Sequence, residues 1–211
     1  MNWTSCYLKT SDLKVFVLGT GEVATRRANR FLDHGAFVKL AGSDLDDELK
    51  SKGAILVSTD EVDSLVKWAD LVILASGDKE LSEYVSKIAS NKLLNRADAP
   101  DDGNIIIPTS FKIADVEISI FTNGRSPLMA RQLRKKIQSI ITDEDILEIE
   151  LQNFARSLLK KKLSNQKDRK NVLYDIFEDE TVNNLIKYNK IDESKEYIKN
   201  LIDNIGDLSD T

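Results

Sequence analysis

Gly19-Thr20-Gly21 constrains the fold of this chain more than any other stretch. It follows a short apolar run, Leu13-Lys14-Val15-Phe16-Val17-Leu18, and precedes a helical pattern from residue 22 to about 33. A strand that passes through two glycines into a helix is the opening βα unit of a parallel sheet, since the turn must be tight and the helix must fold back on the strand. The run Gly19-Thr20-Gly21-Glu22-Val23-Ala24 fits G-x-G-x-x-[G/A]. Glycines there let backbone N–H groups approach a pyrophosphate, the small third position packs helix on sheet, and the helix N-terminus adds its positive end. Turn chemistry alone would also account for the glycines. What points them to a dinucleotide is their place in the first βα unit.

The following units repeat the rhythm. Gly35 stops the first helix as a C-cap glycine does. Residues 37–41 read as a second strand, 44–51 as a short helix, 54–57 as a third strand and 61–67 as a helix. A fourth strand over 69–75, a helix over 79–90 and a fifth strand opening on Leu93-Leu94-Asn95 complete a doubly wound α/β pattern. Such sheets bind ligands outside the carboxyl ends of their strands. That adds Gly42 and Ser43, after the second strand, and Ala75, Ser76 and Gly77, after the fourth, to the candidate cofactor-binding set of Gly19, Thr20, Gly21, Glu22, Val23 and Ala24. The second strand ends on Ala41-Gly42-Ser43 with Asp44 just beyond, so the acidic residue that usually binds the ribose is displaced. No Arg stands there to hold a 2′-phosphate, which favours NAD over NADP.

Near residue 98 the rhythm breaks. Asp98-Ala99-Pro100-Asp101-Asp102-Gly103 is dense in turn residues, and 105–107 and 116–121 read as strands. Ser126-Pro127 opens a helix, serine suiting the N-cap and proline the first position. From residue 143 onward the chain reads as helical, with Leu147, Leu151, Phe154 and Leu158 at helical spacing. Three segments are expected: a Rossmann-like dinucleotide-binding domain over 1–112, a strand-and-helix connector over 113–142, and a C-terminal helical domain over 143–211.

Composition narrows the function class. The apolar runs are strand-sized, too short for a bilayer span. A net charge of −5 argues against a nucleic-acid partner. His34 is the only histidine, which excludes multi-histidine metal sites and works against a Ser-His-Asp triad; no metal ligand set is assigned. At a helix end, His34 reads as a complement to the helix dipole. Cys6 is the only cysteine, so no internal disulfide is expected, and nothing near it would activate its thiolate. The opening Met1-Asn2-Trp3-Thr4-Ser5-Cys6 lacks the basic start and apolar stretch of an export signal. A cytoplasmic location is expected.

Five segments carry a resemblance. Leu18-Gly19-Thr20-Gly21-Glu22-Val23-Ala24-Thr25-Arg26-Arg27 resembles the V-G-G-G-x-V-A-x-R-K run of siroheme synthases and precorrin-2 dehydrogenases. Residues 69–78 are similar to their A-D-L-V-I-A-A-T-D-D segment, Asn95-Arg96-Ala97-Asp98-Ala99-Pro100 to N-V-V-D-[DA]-P, and Ile105-Ile106-Ile107-Pro108 to F-I-F-P. Thr122-Asn123-Gly124-Arg125-Ser126-Pro127-Leu128-Met129-Ala130-Arg131 resembles the start of [ST]-G-G-x-S-P-x-L-A-R-x-L-R. The segments keep family order and spacing over residues 13–141, and weaker helical similarity extends beyond. Thr20 and Asn123 stand where the family has glycine, and Arg96 replaces an apolar residue beside Asp98.

The resemblance implies oxidation of precorrin-2, a tetrapyrrole, to sirohydrochlorin with NAD⁺, and homodimers joined through the connector. Iron insertion is left open as a second activity. It implies that Asp98 is the catalytic carboxylate, as general base or in contact with the macrocycle; capping a turn ahead of Pro100 is the plainer alternative. Candidate substrate-binding residues are Asn95, Thr122, Gly124, Arg125, Ser126 and Arg131. Arg131, Arg134 and Lys135 share a helix face, either solvated or, with Arg26, Arg27 or Arg96, turned to substrate carboxylates. The competing reading is an NAD-binding regulatory module without chemistry.

Overall fold

Strand β1 (Lys14–Leu18) sends Val15 and Val17 to one face and Phe16 and Leu18 to the other, and all four are buried. A strand apolar on both faces needs a layer of helices on each side. In the computed structural model, which describes residues 3–205, the chain supplies both layers. Residues 1–2 and 206–211, at the outer ends of the first and last expected segments, lie outside the described residues.

The elements that follow are α1 (Glu22–Leu32), β2 (Phe37–Ala41), α2 (Asp47–Ser51), β3 (Ile55–Val57), α3 (Val62–Trp68), β4 (Leu71–Leu74), α4 (Lys79–Ile88) and β5 (Leu93–Arg96). The five strands are parallel, in the order β3-β2-β1-β4-β5. Ala24, Ala28 and Phe31 of α1 and Leu49 of α2 cover one face with Val15, Val17, Val38, Leu40, Leu71 and Ile73. Leu65 and Val66 of α3 and Val85 of α4 cover the other with Phe16, Leu18, Val72, Leu74 and Leu94. Each fully buried Leu, Val or Phe contributes about 1.5–3 kcal/mol relative to an exposed one, so these two layers fix the sheet and, with it, the loops at its carboxyl edge. Helix α2 begins at Asp47 rather than at Asp44, because the Asp46 carboxylate accepts the Leu49 N–H at 2.7 Å and caps the helix there.

One expected strand is corrected. Ile105-Ile106-Ile107 forms no ladder. The amides of Asn104 and Ile105 both donate to the Leu94 carbonyl, at 2.9 and 3.2 Å, while Ile105 and Ile107 pack against the α1-side core. The Asn104 side chain also lies along β5, accepting the Leu94 N–H at 2.7 Å and donating to the Lys92 carbonyl at 2.8 Å.

The described residues form two compact units, one ending at Ile107 and the other starting at Pro108. The second unit opens with β6 (Thr109–Ile113), which pairs antiparallel with β7 (Val116–Ile120) through a turn in which Ala114 takes a φ of 47°. Helix α5 (Pro127–Ile140) follows, capped by Ser126 as its sequence predicts. Helices α6 (Asp143–Lys162), α7 (Gln166–Glu178), α8 (Glu180–Lys187) and α9 (Ile191–Asp203) enclose a core of Leu151, Ala155, Leu159, Ile176, Val182, Ile186, Ile198 and Ile202. The start of α6 is held by a capping box, in which Thr142 and Asp145 each satisfy the other's backbone N–H.

Candidate active site

The loop between β1 and α1 has no freedom to carry other residues at its first position. Gly19 has a φ of +113°, and a Cβ there would lie 2.5 Å from the Ala75 carbonyl oxygen at the exit of β4. Only glycine permits both the conformation and the approach. Thr20 turns to the exit of β2: its Oγ1 lies 3.3 Å from Ser43 Oγ and accepts the Ser43 N–H at 3.3 Å. Gly21 is the N-cap of α1, with extended backbone at φ −76° and ψ 178°, and a Cβ on it would meet nothing within 4 Å.

Helices α2, α4, α5, α6, α7 and α8 are each capped by a side chain, from Asp46, Asp78, Ser126, Thr142, Asn165 and Asp179 respectively. Among the described residues no side chain caps α1. The same holds for α3 and α9, but only α1 starts at a glycine whose Cβ position is open, beside the exits of β2 and β4, and its first-turn N–H groups form a donor set suited to a phosphate anion. Glu22 and Val23 occupy the exposed part of that turn, and the buried Ala24 packs it on the sheet. Ala75 is fixed by its N–H to the Leu18 carbonyl at 2.9 Å, and Ser76 Oγ accepts the Asp78 N–H at 3.1 Å, with Gly77 between. The structure thus brings Gly19, Thr20, Gly21, Gly42, Ser43, Ala75, Ser76 and Gly77 to adjacent strand ends of one sheet. Asp44 accepts the Leu45 N–H at 2.7 Å and lies 3.4 Å from Lys50, and these, the backbone bond first, hold its carboxyl below the usual range.

Strand β5 brings two polar residues to the same edge, on opposite faces. Asn95 is buried, takes a hydrogen bond from Arg27 of α1 and donates to the Ile105 carbonyl at 2.9 Å. Burial and the neighbouring Arg26 lower the pKa of Arg27. Arg96, only 4% exposed, faces the α4 side. Its guanidinium donates to both oxygens of Asp98, Nη2 to Oδ2 at 2.7 Å and Nε to Oδ1 at 3.3 Å. Nη2 also reaches Glu83 of α4 at 2.6 Å, and Nη1 lies 3.8 Å from Asp102 in the short 3-10 turn Pro100–Asp102. The Arg96 guanidinium holds the Asp98 carboxyl below its ordinary range, while Asp98 and then Glu83 raise the pKa of Arg96.

The sequence pointed to Asp98 but gave no sign of Glu83, which lies 13 positions before Arg96 and meets it only through the packing of α4 on β5. Arg27 as the partner of Asn95 was equally hidden. The Arg96–Asp98 contact did have a signal: residues two apart at a strand end share a face.

The remaining candidates lie in the second unit, at the turn between β7 and α5. Asn123 and Gly124 take φ values of +53° and +70°, the Arg125 N–H donates to the Thr122 carbonyl at 3.0 Å, and Thr122 Oγ1 donates to the Ser126 carbonyl at 3.3 Å. Ser126 Oγ accepts the Met129 N–H at 3.1 Å. Arg125 and Arg131 are exposed, and Arg134 stacks over the Phe111 ring, 5.7 Å from its centre.

Comparison with known proteins agrees with this arrangement. A family described as "Putative NAD(P)-binding" matches residues 6–109, the segment that holds the glycine loop and the five strands. A Methanocaldococcus jannaschii protein named "Putative precorrin-2 dehydrogenase" is 32% identical over 79% of this chain and 86% of its own length. The precorrin-2 dehydrogenase of Methanosarcina barkeri is 31% identical over 86% of this chain and 85% of its own length. The solved structure of SirC, a precorrin-2 dehydrogenase, shares the fold with a TM-score of 0.75 at 23% identity, covering 94% of this chain and 100% of that one. Among the described residues no helix is long and apolar enough to cross a membrane. With such identity over nearly the whole of its relatives, and an NAD(P)-binding domain at its centre, this chain belongs to the precorrin-2 dehydrogenase family of oxidoreductases.

Proposed function

We propose that the chain oxidises precorrin-2 to sirohydrochlorin in the cytoplasm, with NAD⁺ as hydride acceptor and Asp98 as the catalytic carboxylate. One observation carries the reading: the uncapped α1 N-terminus with Gly19 and Gly21, the Ala75–Gly77 exit of β4 and Asp98 beyond β5 stand at neighbouring strand ends of one sheet. The donors and the missing Cβ at Gly21 fit a pyrophosphate, which Gly19 to Ala24, Gly42, Ser43 and Ala75 to Gly77 would hold. NAD⁺ bound there supplies the ring that accepts a hydride. NAD is preferred over NADP because Ala41-Gly42-Ser43 brings no cation to a 2′-phosphate.

Oxidation removes two hydrogens from the macrocycle, one as hydride and one as a proton. Asp98 receives the proton, a role usually worth about 10²- to 10⁴-fold in rate. Asn95, Thr122, Gly124, Arg125, Ser126 and Arg131 are assigned to the substrate, whose carboxylates suit the guanidinium forks of Arg125 and Arg131. Residues 1–112 serve the cofactor, 113–142 joins two copies, and 143–211 is a helical domain. Leu128 and Ile140 on α5, 65% and 66% exposed, support a homodimer, since a monomer would leave them to water.

The test is anaerobic incubation with precorrin-2 and either NAD⁺ or NADP⁺, following NADH absorbance and the product spectrum. Stoichiometric NADH and sirohydrochlorin are expected. NAD⁺ binding without turnover would overturn the reading in favour of a regulatory module, and a repeat with Fe²⁺ shows whether iron is inserted as well.

A further inference from the structure

Arg96 is the most buried charged side chain described, and in the bond pattern of the site it has a use beyond folding. Its fork engages both Asp98 oxygens, and its second terminal contact, Glu83, anchors it to α4. A carboxylate gripped side-on by a guanidinium has one orientation and keeps only its outward lone pairs for other partners. Arg96 stands where the siroheme synthase pattern that this chain resembles has an apolar residue.

We propose that Arg96 is a positioning residue for Asp98, with Glu83 as its counter-anchor, and that the fork sets the direction in which the catalytic carboxylate points. The inference rests on the assignment of Asp98 above. Three charged groups meet Asp98 or its partner: Arg96 from β5, Glu83 from α4 and Asp102 from the turn after β5. With Arg96 bound, Asp98 is held ionised in one orientation; the ion pair itself weakens the carboxylate as a base, so what the fork contributes is alignment. Without Arg96 the side chain swings freely between rotamers and meets two uncompensated carboxylates.

Three variants and two readouts decide the matter. In Arg96→Leu, kcat should fall about tenfold or more, as small misplacements of a reacting group do, while KM and NAD⁺ affinity stay within twofold. Arg96→Lys, which keeps the cation but loses the fork, should lie between Arg96→Leu and the parent. In the Asp98→Asn background, Arg96→Leu should cost nothing further, because a residue that acts through Asp98 has nothing left to position. Independently of activity, ¹³C titration of the Asp98 carboxyl should move upward in Arg96→Leu. Glu83→Gln, on a half-exposed side chain, keeps a hydrogen-bond acceptor for Arg96 and should move the Asp98 titration downward by removing a negative neighbour. Additive losses in the double variant, or an Asp98 titration that does not move in Arg96→Leu, would overturn the clamp and leave Arg96 a folding residue. Normal turnover in Asp98→Asn alone would instead refute the assignment of Asp98, and the inference with it.

Discussion

Replacing Gly21 with Asp should separate ligand binding from folding within a single side chain. The backbone at Gly21 already has N-cap geometry, with φ −76° and ψ 178°, and a Cβ there meets nothing within 4 Å, so no strain or clash opposes the change. The new carboxylate would accept a first-turn N–H of α1, as Asp46, Asp78 and Asp179 do for their helices. The cap is worth a few tenths of a kcal/mol over glycine, and the loss of freedom in the unfolded chain adds about 0.4–1 kcal/mol. Together they should raise Tm by about 2–4 °C for a chain of this size. For NAD⁺ the sign reverses. The carboxylate occupies the donors that a phosphate needs and sets a negative charge about 4 Å from it, a repulsion of about 1 kcal/mol in water and about 4 kcal/mol at the effective dielectric of a protein surface. The dissociation constant should therefore rise by roughly 5- to 800-fold for about 1–4 kcal/mol. Gly21→Asn is the control, since it caps as well but carries no charge, and should keep the Tm gain with a smaller loss of affinity. Titration calorimetry and scanning calorimetry read the two effects. NAD⁺ affinity within twofold of the parent in Gly21→Asp would show that the cofactor does not lie at this helix end.

Gly19→Ala, by contrast, should cost about 2–4 kcal/mol in urea unfolding, from its positive φ and the 2.5 Å approach to the Ala75 carbonyl oxygen; a stability within 0.5 kcal/mol of the parent (roughly the reach of a surface change) would refute this. Asp98→Asn should bind NAD⁺ normally and turn over precorrin-2 about 10²- to 10⁴-fold more slowly, whereas a turn-capping Asp98 would leave the rate near normal and only Asp98→Ala would lower Tm. Light scattering should report a dimer at micromolar concentration, and a monomer would count against the role given to α5. The Arg96–Asp98 pair also sets an acid limb: the folded carboxyl sits below its unfolded value of about 3.9. Its stabilisation is therefore fully present above that value and fades as pH falls through the folded one. The stability gap between Asp98→Asn and the parent should accordingly shrink below pH of about 4, and a gap constant from neutral to acid would contradict the pairing.

The sheet was legible because its signals are local. Doubly buried strands such as Val15 to Leu18 read as continuous apolar runs, and Gly19 and Gly21 announce a turn that few other residues can make. The helical apolar spacing of Leu147, Leu151, Phe154 and Leu158 marked the inward side of α6, where Leu151 is fully buried and the other three pack at the margin, but it passed over Ala155 and Leu159, which share the centre. What failed was decided by hydrogen-bond competition. Ile105 to Ile107 is more apolar than Thr109–Ile113, yet the Leu94 carbonyl takes the two amides at the head of the first run, and the second run finds Val116–Ile120 as a partner. The helix expected from residue 44 starts at Asp47 because the Asp46 side chain caps it, a choice made by side-chain geometry. In the site, the glycine loop could be read from spacing. The Arg27–Asn95 bond spans 68 residues and exists only because α1 lies across the sheet.

The way the chain leaves β5 has a further consequence, for solubility. A parallel sheet that stops at five strands exposes a row of unpaired amides and carbonyls at its border, a template on which a second molecule can extend the ladder. Here Asn104 occupies that border like a single rung, its side chain taking the Leu94 N–H and giving to the Lys92 carbonyl while its own amide and that of Ile105 fill the Leu94 carbonyl. One side-chain amide thus does the insulating work of a sixth strand. At the opposite border, β3 offers only three residues, Ile55–Val57, too short a run for stable polymerisation. Edge-to-edge growth of the nucleotide-binding unit is discouraged on both sides.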